Sequence, residues 1–314
     1  MGIFPFTQAD ALGEEIAVDF EDRIIEVINQ QRGIDTLSKR IQPLIHNLYH
    51  SAGQAGQQLS DFLNGVWLGH PLHAVLTDVV VGAYTVGLAF DGLEAATGEE
   101  LFGKAADNAI SLGALTAVGA ATAGMTDWMY TSDTPRRVGM VHALLNTTAL
   151  SLYTASLAAR KGRNRQVGKA LGLLGFIATL GAAYLGGHLA YRNKIGVNHA
   201  PGPAQFPQKF TPVIALETLP EDKLVRAEAN DIPILLVRRG KDIYALAETC
   251  AHLGGPLAEG TLVDNSVICP WHGSRFNLES GHIINGPSVH PQPCLQTRVR
   301  NGQVEVRAAP GDVA

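Results

Sequence analysis

The stretches Cys250-Ala-His252 and Cys269-Pro-Trp-His272 each pair a cysteine with a histidine, and together they decide the fold of the C-terminal part of the chain. Two thiolates and two imidazoles at this spacing can hold a two-iron cluster, because thiolate sulfur suits one iron and imidazole nitrogen can replace it on the other. A zinc ion is one alternative, but structural zinc sites favour C-x-x-C or H-x-x-H pairs, and C-x-H is unusual there. A disulfide between the cysteines would leave both histidines unexplained. The pattern therefore predicts a 2Fe–2S cluster with these four residues as its ligands.

Small and cyclic residues follow both cysteine–histidine pairs. They are Gly254, Gly255 and Pro256 after the first pair, Gly273 and Ser274 after the second, and Gly286-Pro287 further along the chain. This arrangement resembles the Rieske family, whose members close a proline loop over the cluster at the position of the last pair. The resemblance implies an all-β domain with its cluster loops at one tip. It also implies the residues that surround the cluster, which are Gly255, Trp271, Ser274, Phe276 and Pro287.

Two departures from one branch of that family lie close to the ligands. The Rieske proteins of cytochrome bc complexes carry an extra cysteine in each loop, joined as a disulfide, where this chain has Gly255 and Trp271. They also place a tyrosine two residues after the loop serine, where Phe276 stands here. Fewer hydrogen bonds to the sulfurs stabilise the reduced, more negative cluster less, so we expect a potential in the lower half of the Rieske range of roughly −150 to +300 mV. In these features the chain is more similar to the Rieske ferredoxins that supply oxygenases.

Short apolar runs typical of β-strands occupy the C-terminal part of the sequence. The runs are Lys223–Ala229, Ile234–Arg238, Ile243–Ala247 and Ser266–Cys269, and Thr297–Arg307 is typical of a hairpin that turns at Asn301-Gly302. Cys294, the cysteine outside the motif, is predicted to be a buried structural thiol.

A change of composition separates this part from the middle of the chain, which is rich in Ala, Gly, Leu and Val between Pro71 and Tyr191. Crossing a bilayer takes about 20 apolar residues in a helix. Segments of that length run over Pro71–Leu93, Asn108–Met129, Val138–Ala159 and Val167–Tyr191. A soluble helical bundle would require charged faces at helical period, and the last three segments have none. The sequence therefore predicts a four-helix transmembrane bundle followed by an all-β Rieske domain.

Four regions result from these patterns. They are amphipathic helices over 1–65, the membrane domain over 66–195, a proline-rich linker over 196–211 and the Rieske domain over 212–314. The first region carries two apolar helical faces, one formed by Ile16, Phe20, Ile24 and Ile28 and the other by Leu37, Ile41, Ile45 and Leu48. These helices are expected either to lie on the membrane surface or to cover another domain.

Polar residues are predicted to share one shallow layer of the bundle, on the side from which the Rieske domain emerges. Placing an ionisable side chain inside a membrane costs free energy, so such residues are candidates for a functional site. The candidates are His70, His73, Asp78, Asp127, His142, Asn146 and His188. Histidines on different helices could supply two axial ligands of a b-type haem, hold a metal ion or line a quinol site. The alternative is an interfacial hydrogen-bond network without a cofactor.

Three further motifs carry a second resemblance. Gly69-His-Pro-Leu-His73, the run from Arg136 to His142, and Leu185-Gly-Gly-His188 are similar to the markers of a bacterial four-helix membrane domain of uncharacterised function. That family also occurs fused to a C-terminal Rieske domain. The resemblance supports the architecture and implies no established chemistry for the membrane half.

Three functions are compatible with these features. The protein could transfer electrons between the cluster and haem b or quinol in the bundle, it could be a ferredoxin that the helices only anchor, or the cluster could have a structural or sensing role. A complete Rieske oxygenase is not expected, because the chain ends soon after the last hairpin and has no mononuclear iron domain. The expected partners are the lipid bilayer and a redox protein or quinone. No nucleic acid is expected, and the oligomeric state stays open.

Basic residues near the helix ends give a prediction of sidedness. Arg160, Lys161, Arg163, Arg165, Lys169 and Lys104 lie on one side, and Arg136, Arg137, Arg192 and Lys194 lie on the other. The positive-inside rule then places the 160–169 loop in the cytoplasm and the Rieske domain outside. The ferredoxin-like features favour the cytoplasmic alternative.

Overall fold

The structure is a computed structural model that describes residues 20–309, so Ile16 of the first predicted helical face lies outside the described residues. The described part divides into two compact units, each interrupted in sequence. One comprises residues 20–46, 80–117 and 131–193, and the other comprises residues 47–79, 118–130 and 194–309.

The N-terminal region is helical, as predicted. Helix α1 occupies residues 20–30, α2 is Arg32–Ser51 and α3 is Gly53–Asn64. Ile25 and Ile28 of α1 are buried against Val138 and Leu185, so this helix covers other helices of its own unit. The apolar residues of α2 are less buried than those of α1, since Leu37, Leu44 and Leu48 are exposed.

Long helices occupy the predicted membrane segments. They are α4 (Leu72–Thr97), α5 (Glu100–Trp128), α6 (Asp133–Lys161) and α7 (Arg165–Gly187), and a π-helical turn over His188–Arg192 follows α7. Within residues 20–309, α4, α5 and α7 with its π turn are long and apolar enough to cross a membrane. Helix α6 is less apolar because it carries charged residues near both ends, His142 and Asn146, and several serines and threonines. Thr147, Thr148 and Thr154 bond to backbone carbonyls four residues earlier in the same helix. The count of four spans stays a prediction.

The helices contain an internal repeat that the sequence analysis missed. His73-Ala-Val-Leu76 and Tyr84-Thr85 in α4 recur at the same spacing as His142-Ala-Leu-Leu145 and Tyr153-Thr154 in α6. The sequence of α5 corresponds to that of α7 in the same way. Its residues Gly113, Gly119, Ala120 and Gly124 recur as Gly175, Gly181, Ala182 and Gly186. The region therefore consists of two related helical hairpins, α4–α5 and α6–α7.

The repeated histidines make the same contact in both hairpins. His73 Nδ1 lies 2.8 Å from the Ala120 carbonyl oxygen, and His142 Nδ1 lies 2.8 Å from the Ala182 carbonyl oxygen. The glycine four residues after each carbonyl leaves room for the ring, since a Cβ on Gly124 would lie 2.7 Å from His73 Nδ1. Each histidine thus links the first helix of its hairpin to the backbone of the second.

Equivalent residues of the two hairpins also meet each other. The rings of Tyr84 and Tyr153 stack with centroids 3.6 Å apart. Farther along the same helices, the buried guanidinium of Arg160 binds both carboxylate oxygens of Asp91 at 2.7 and 2.5 Å. Asp91 and Arg160 occupy equivalent positions of the repeat, so the two hairpins carry opposite charges at this position.

The C-terminal domain contains two antiparallel sheets within the described residues. The larger has the strand order β1-β10-β9-β4-β3-β2 and the smaller has the order β5-β6-β7-β8. The strands are β1 (Thr211–Ala215), β2 (Val225–Ala229), β3 (Ile232–Arg239), β4 (Asp242–Ala247), β5 (Thr261–Val263), β6 (Ser266–Ile268), β7 (Arg275–Asn277), β8 (Ile283–Asn285), β9 (Cys294–Arg300) and β10 (Gln303–Ala308). The predicted all-β domain and its hairpin at Asn301-Gly302 are confirmed, and both turn residues have the positive φ that a tight hairpin turn requires.

Cys294 departs from its prediction. It begins β9 beside Leu246 of β4, and its side chain is half-buried rather than buried. The reason is its position at the edge of the core, where it is only partly buried against the apolar cluster that contains Cys250 and Cys269.

Candidate metal centre

Two loops of the β domain carry the predicted ligands, and they close with the same backbone bonds. In the first loop, Gly254 N–H donates to the Cys250 carbonyl and Cys250 N–H donates to the Gly255 carbonyl, both at 2.9 Å. In the second, Gly273 N–H donates to the Cys269 carbonyl at 3.1 Å and Cys269 N–H donates to the Ser274 carbonyl at 2.9 Å. Gly254 and Gly273 both have φ of 79°, a conformation that favours glycine. The glycines after each pair are therefore required by the loop geometry.

The four ligand side chains converge between these loops. Cys250 and Cys269 are buried and lie within hydrogen-bond distance of each other, whereas His252 and His272 are half-buried. The two imidazole rings stand 5.0 Å apart between centroids and are nearly perpendicular, at 89°. The cysteines thus form the inner side of the site and the histidines form the outer side.

The electrostatics of the site favour metal ligation by the histidines. Burial lowers the pKa of His252 to about 3 and the pKa of His272 to about 4, so both imidazoles are neutral at pH 7 and keep a nitrogen lone pair. His252 Nδ1 is buried and has no hydrogen-bond partner within residues 20–309. A buried nitrogen of this kind needs a partner, and an iron ion can be that partner.

The cysteine sulfurs lie in a nest of backbone donors. The N–H groups of His252 and Leu253 hydrogen-bond the Cys250 sulfur, and those of Trp271 and His272 hydrogen-bond the Cys269 sulfur. The hydrogen bond from the Cys250 thiol lowers the pKa of Cys269 to about 7. Such donors stabilise negative charge on the sulfurs, as a bound iron–sulfur cluster requires.

The arrangement fits a two-iron cluster better than one metal ion. A tetrahedral zinc site would bring four ligands around a single point. A cluster needs only two protein ligands on each iron, and here two cysteines lie on the inner side of the site and two histidines on the outer side.

The residues around the ligands have separate structural roles. A Cβ on Gly255 would lie 2.8 Å from the Cys269 sulfur, so a side chain there would displace a ligand. Ser274 is fully buried, and its hydroxyl accepts a hydrogen bond from Ser288 N–H at 3.0 Å, which ties the second loop to the segment after Pro287. Phe276 is buried in the core below the cysteines, whereas the ring of Trp271 is 56% exposed.

Gln292 is a structural residue of the site that sequence reasoning missed. Its amide nitrogen donates to the Ala247 and Thr249 carbonyls at 2.8 and 2.7 Å, and its oxygen accepts from Ala251 N–H at 3.0 Å. The side chain therefore fixes the backbone on both sides of Cys250, in the first cysteine–histidine loop. Its position between Pro291 and Pro293 gives no recognisable signal in the sequence.

The polar residues predicted to form a layer in the bundle divide between the two units of the chain. His142 contacts two protein groups, because its Nδ1 meets the Ala182 carbonyl and its Nε2 lies 3.0 Å from the Asn146 amide nitrogen. His188 Nδ1 lies 2.5 Å from a Glu21 carboxylate oxygen. In the other unit, His73 contacts the Ala120 carbonyl. Of the further candidates of that unit, His70 and Asp78 are exposed, whereas Asp127 is half-buried, as His73 is.

Comparison with known proteins agrees with the two halves of the chain. The model of the Rieske [2Fe-2S] domain matches residues 209–298, and the model of a predicted membrane protein family, DUF2231, matches residues 69–199. The ferredoxin CarAc of Metapseudomonas resinovorans is 35% identical over 74 residues, which are 24% of this chain and 69% of that protein. The anthranilate 1,2-dioxygenase ferredoxin subunit of Burkholderia cepacia is 30% identical over 98 residues, which are 31% of this chain and 91% of that protein.

A third relative is much longer. Apoptosis-inducing factor 3 of Mus musculus is 34% identical over 76 residues, which are 24% of this chain and only 13% of that protein.

An all-β domain with two cysteine–histidine loops over a shared site defines an iron–sulfur protein of the electron-transfer class. This chain belongs to the Rieske [2Fe-2S] family through its C-terminal domain, which is of the ferredoxin type, and it carries a DUF2231 membrane domain before it.

Proposed function

We propose that this protein is a membrane-tethered Rieske ferredoxin, which passes single electrons between a redox partner and a client oxidoreductase at the bilayer. The observation that carries this proposal is the ligand geometry of Cys250, His252, Cys269 and His272 on a ferredoxin-type domain. When bound, the 2Fe–2S group supplies a one-electron couple. The chain holds the sulfurs with backbone N–H donors, and it keeps the two imidazoles neutral on the outer side of the site.

The helices serve as an anchor in this proposal. A haem between two histidines would require an available ring nitrogen on each of them. Both ring nitrogens of His142 already face protein groups, so this histidine offers no nitrogen to a haem iron. These contacts support the hydrogen-bond network rather than a haem or quinol site. A second candidate function, electron exchange with haem b, is favoured only by His188, whose Nε2 is buried without a partner in the described chain.

We expect purified full-length protein to contain iron and acid-labile sulfide but no haem. The physical reason is that both ring nitrogens of His142 are already in contact with protein groups. The measurement is an optical spectrum of the detergent-solubilised protein combined with a pyridine haemochrome assay. A haemochrome band in amounts comparable to the cluster would overturn the anchor proposal and support a two-centre electron conduit.

We further propose that the Rieske domain lies outside the cytoplasm, because the excess of arginine and lysine is in the 160–169 loop. Protease added to intact spheroplasts should then remove the C-terminal domain. An antibody against the C-terminal end would detect the loss, with a cytoplasmic protein as the control for intact cells. Full protection of the domain until the cells are lysed would reverse the topology.

A further inference from the structure

A third aromatic ring lies against the two ligand histidines. It belongs to Tyr130, which follows the end of α5 and lies in the membrane-family part of the chain, outside the Rieske match. The Tyr130 ring centroid is 5.4 Å from that of His252, at 87°, and 5.4 Å from that of His272, at 63°. The same tyrosine therefore contacts one ligand from each cluster loop.

Tyr130 is held in this position by helix α3. Its phenol hydrogen-bonds Ser60, a buried residue whose hydroxyl also accepts a hydrogen bond from the Asn64 amide at 3.2 Å. The ring is thus fixed by a hydrogen bond at one end and covers the imidazoles at the other.

The same helix also binds the proline loop. Asp61 Oδ1 accepts a hydrogen bond from Gly286 N–H at 2.9 Å, and Gly286 precedes Pro287. Space is tight at this contact, since a Cβ on Gly286 would lie 2.8 Å from the Asp61 oxygen. Neighbouring residues of α3 therefore hold both the tyrosine that covers the histidines and the loop beside the cluster.

We propose that Tyr130 is a positioning residue that seals the histidine side of the cluster from water and thereby keeps its reduction potential low. An aromatic cover lowers the local dielectric constant, and a low dielectric constant disfavours the reduced, more negative cluster. Tyr130 acts through His252 and His272, which it packs against without being a ligand. The proposal requires the 2Fe–2S cluster on these ligands, but it does not depend on the identity of the redox partner.

The experiment compares Tyr130→Ala with Tyr130→Phe in full-length protein purified in detergent. Redox titration at fixed pH, followed by EPR, gives the midpoint potential. Deuterium modulation of the EPR signal after exchange into D₂O reports water near the cluster. Tyr130→Ala should raise the midpoint and increase the deuterium modulation, whereas Tyr130→Phe, which keeps the ring, should stay close to wild type. Tyr191→Ala, which removes an 85% exposed tyrosine, is the control for loss of a tyrosine elsewhere and should change neither quantity.

Iron and sulfide contents, measured on every sample, separate loss of the cluster from a change in its surroundings. If Tyr130→Ala does not retain a cluster, Tyr130→Leu fills part of the space without a flat ring and should show the same shifts in smaller degree. A fully loaded alanine or leucine variant with unchanged midpoint and unchanged modulation would overturn the proposal. So would a phenylalanine variant that shifts as much as the alanine variant, because the effect would then belong to the hydroxyl group.

Discussion

His272→Ala is expected to abolish the EPR signal of low average g-value that a histidine-ligated 2Fe–2S cluster gives on reduction. The variant would remove one of the two histidines that would hold one iron of the cluster, and methyl cannot replace imidazole as a donor. The outcome should be loss of cluster iron and acid-labile sulfide from the purified protein, rather than a shifted spectrum. EPR of the dithionite-reduced protein and chemical iron analysis provide the measurement.

The matched control for this variant is His282→Ala, in the same domain. His282 is exposed, and its backbone lies in the turn between β7 and β8. This variant should keep the full signal. An unaltered spectrum in His272→Ala, at full iron content, would contradict the ligand assignment on which the proposed function depends.

Arg160→Ala is expected to have the largest effect on the stability of the helical region. The guanidinium is 1% exposed and binds Asp91, which is 8% exposed, and it also reaches Asp107 at 3.0 Å. Truncation leaves the Asp91 carboxylate buried without its main partner, which costs about 3–5 kcal/mol. Unfolding of the detergent-solubilised protein in increasing SDS, followed by circular dichroism, would measure the loss.

Lys161→Ala changes the next residue of α6, which is exposed, and it should leave the unfolding midpoint nearly unchanged. The double variant Asp91→Ala with Arg160→Ala should recover part of the lost stability, because the unpaired carboxylate is then absent. Equal stability of Arg160→Ala and Lys161→Ala would show that the buried ion pair does not hold the hairpins together.

The cluster site was predictable because its information is local. Each ligand loop carries its cysteine, histidine and glycines within six residues, and the loop hydrogen bonds join residues of that same stretch. Strands β1, β5, β7 and β8 were not predicted. The last three have only three residues each, which is too few for an alternating pattern to be recognised, and β1 contains Pro212. The equally short β6 was predicted because its apolar residues run directly into Cys269. The contact of Tyr130 with the ligands had no local signal, because it depends on how distant segments of the chain pack.

The bundle histidines show a different limit. The alternating direction of the helices predicts that these histidines lie at one depth in the membrane, and a shared depth suggests a cofactor. The repeat of His73 and Tyr84 as His142 and Tyr153 was present in the sequence and would have led to another interpretation. A residue that recurs with its surroundings in a second hairpin is expected to perform the same structural task twice. The carbonyl contacts of both histidines agree with that interpretation.

The charge exchange within the repeat has a consequence for assembly. If two copies of the first hairpin paired with each other, two buried Asp91 carboxylates would meet, and two copies of the second would bring two Arg160 guanidiniums together. Each hairpin is therefore matched to its counterpart and repels its own duplicate. During membrane insertion, pairing between hairpins of separate chains costs free energy unless an α4–α5 hairpin meets an α6–α7 hairpin. The nearest matching hairpin is the other one of the same polypeptide.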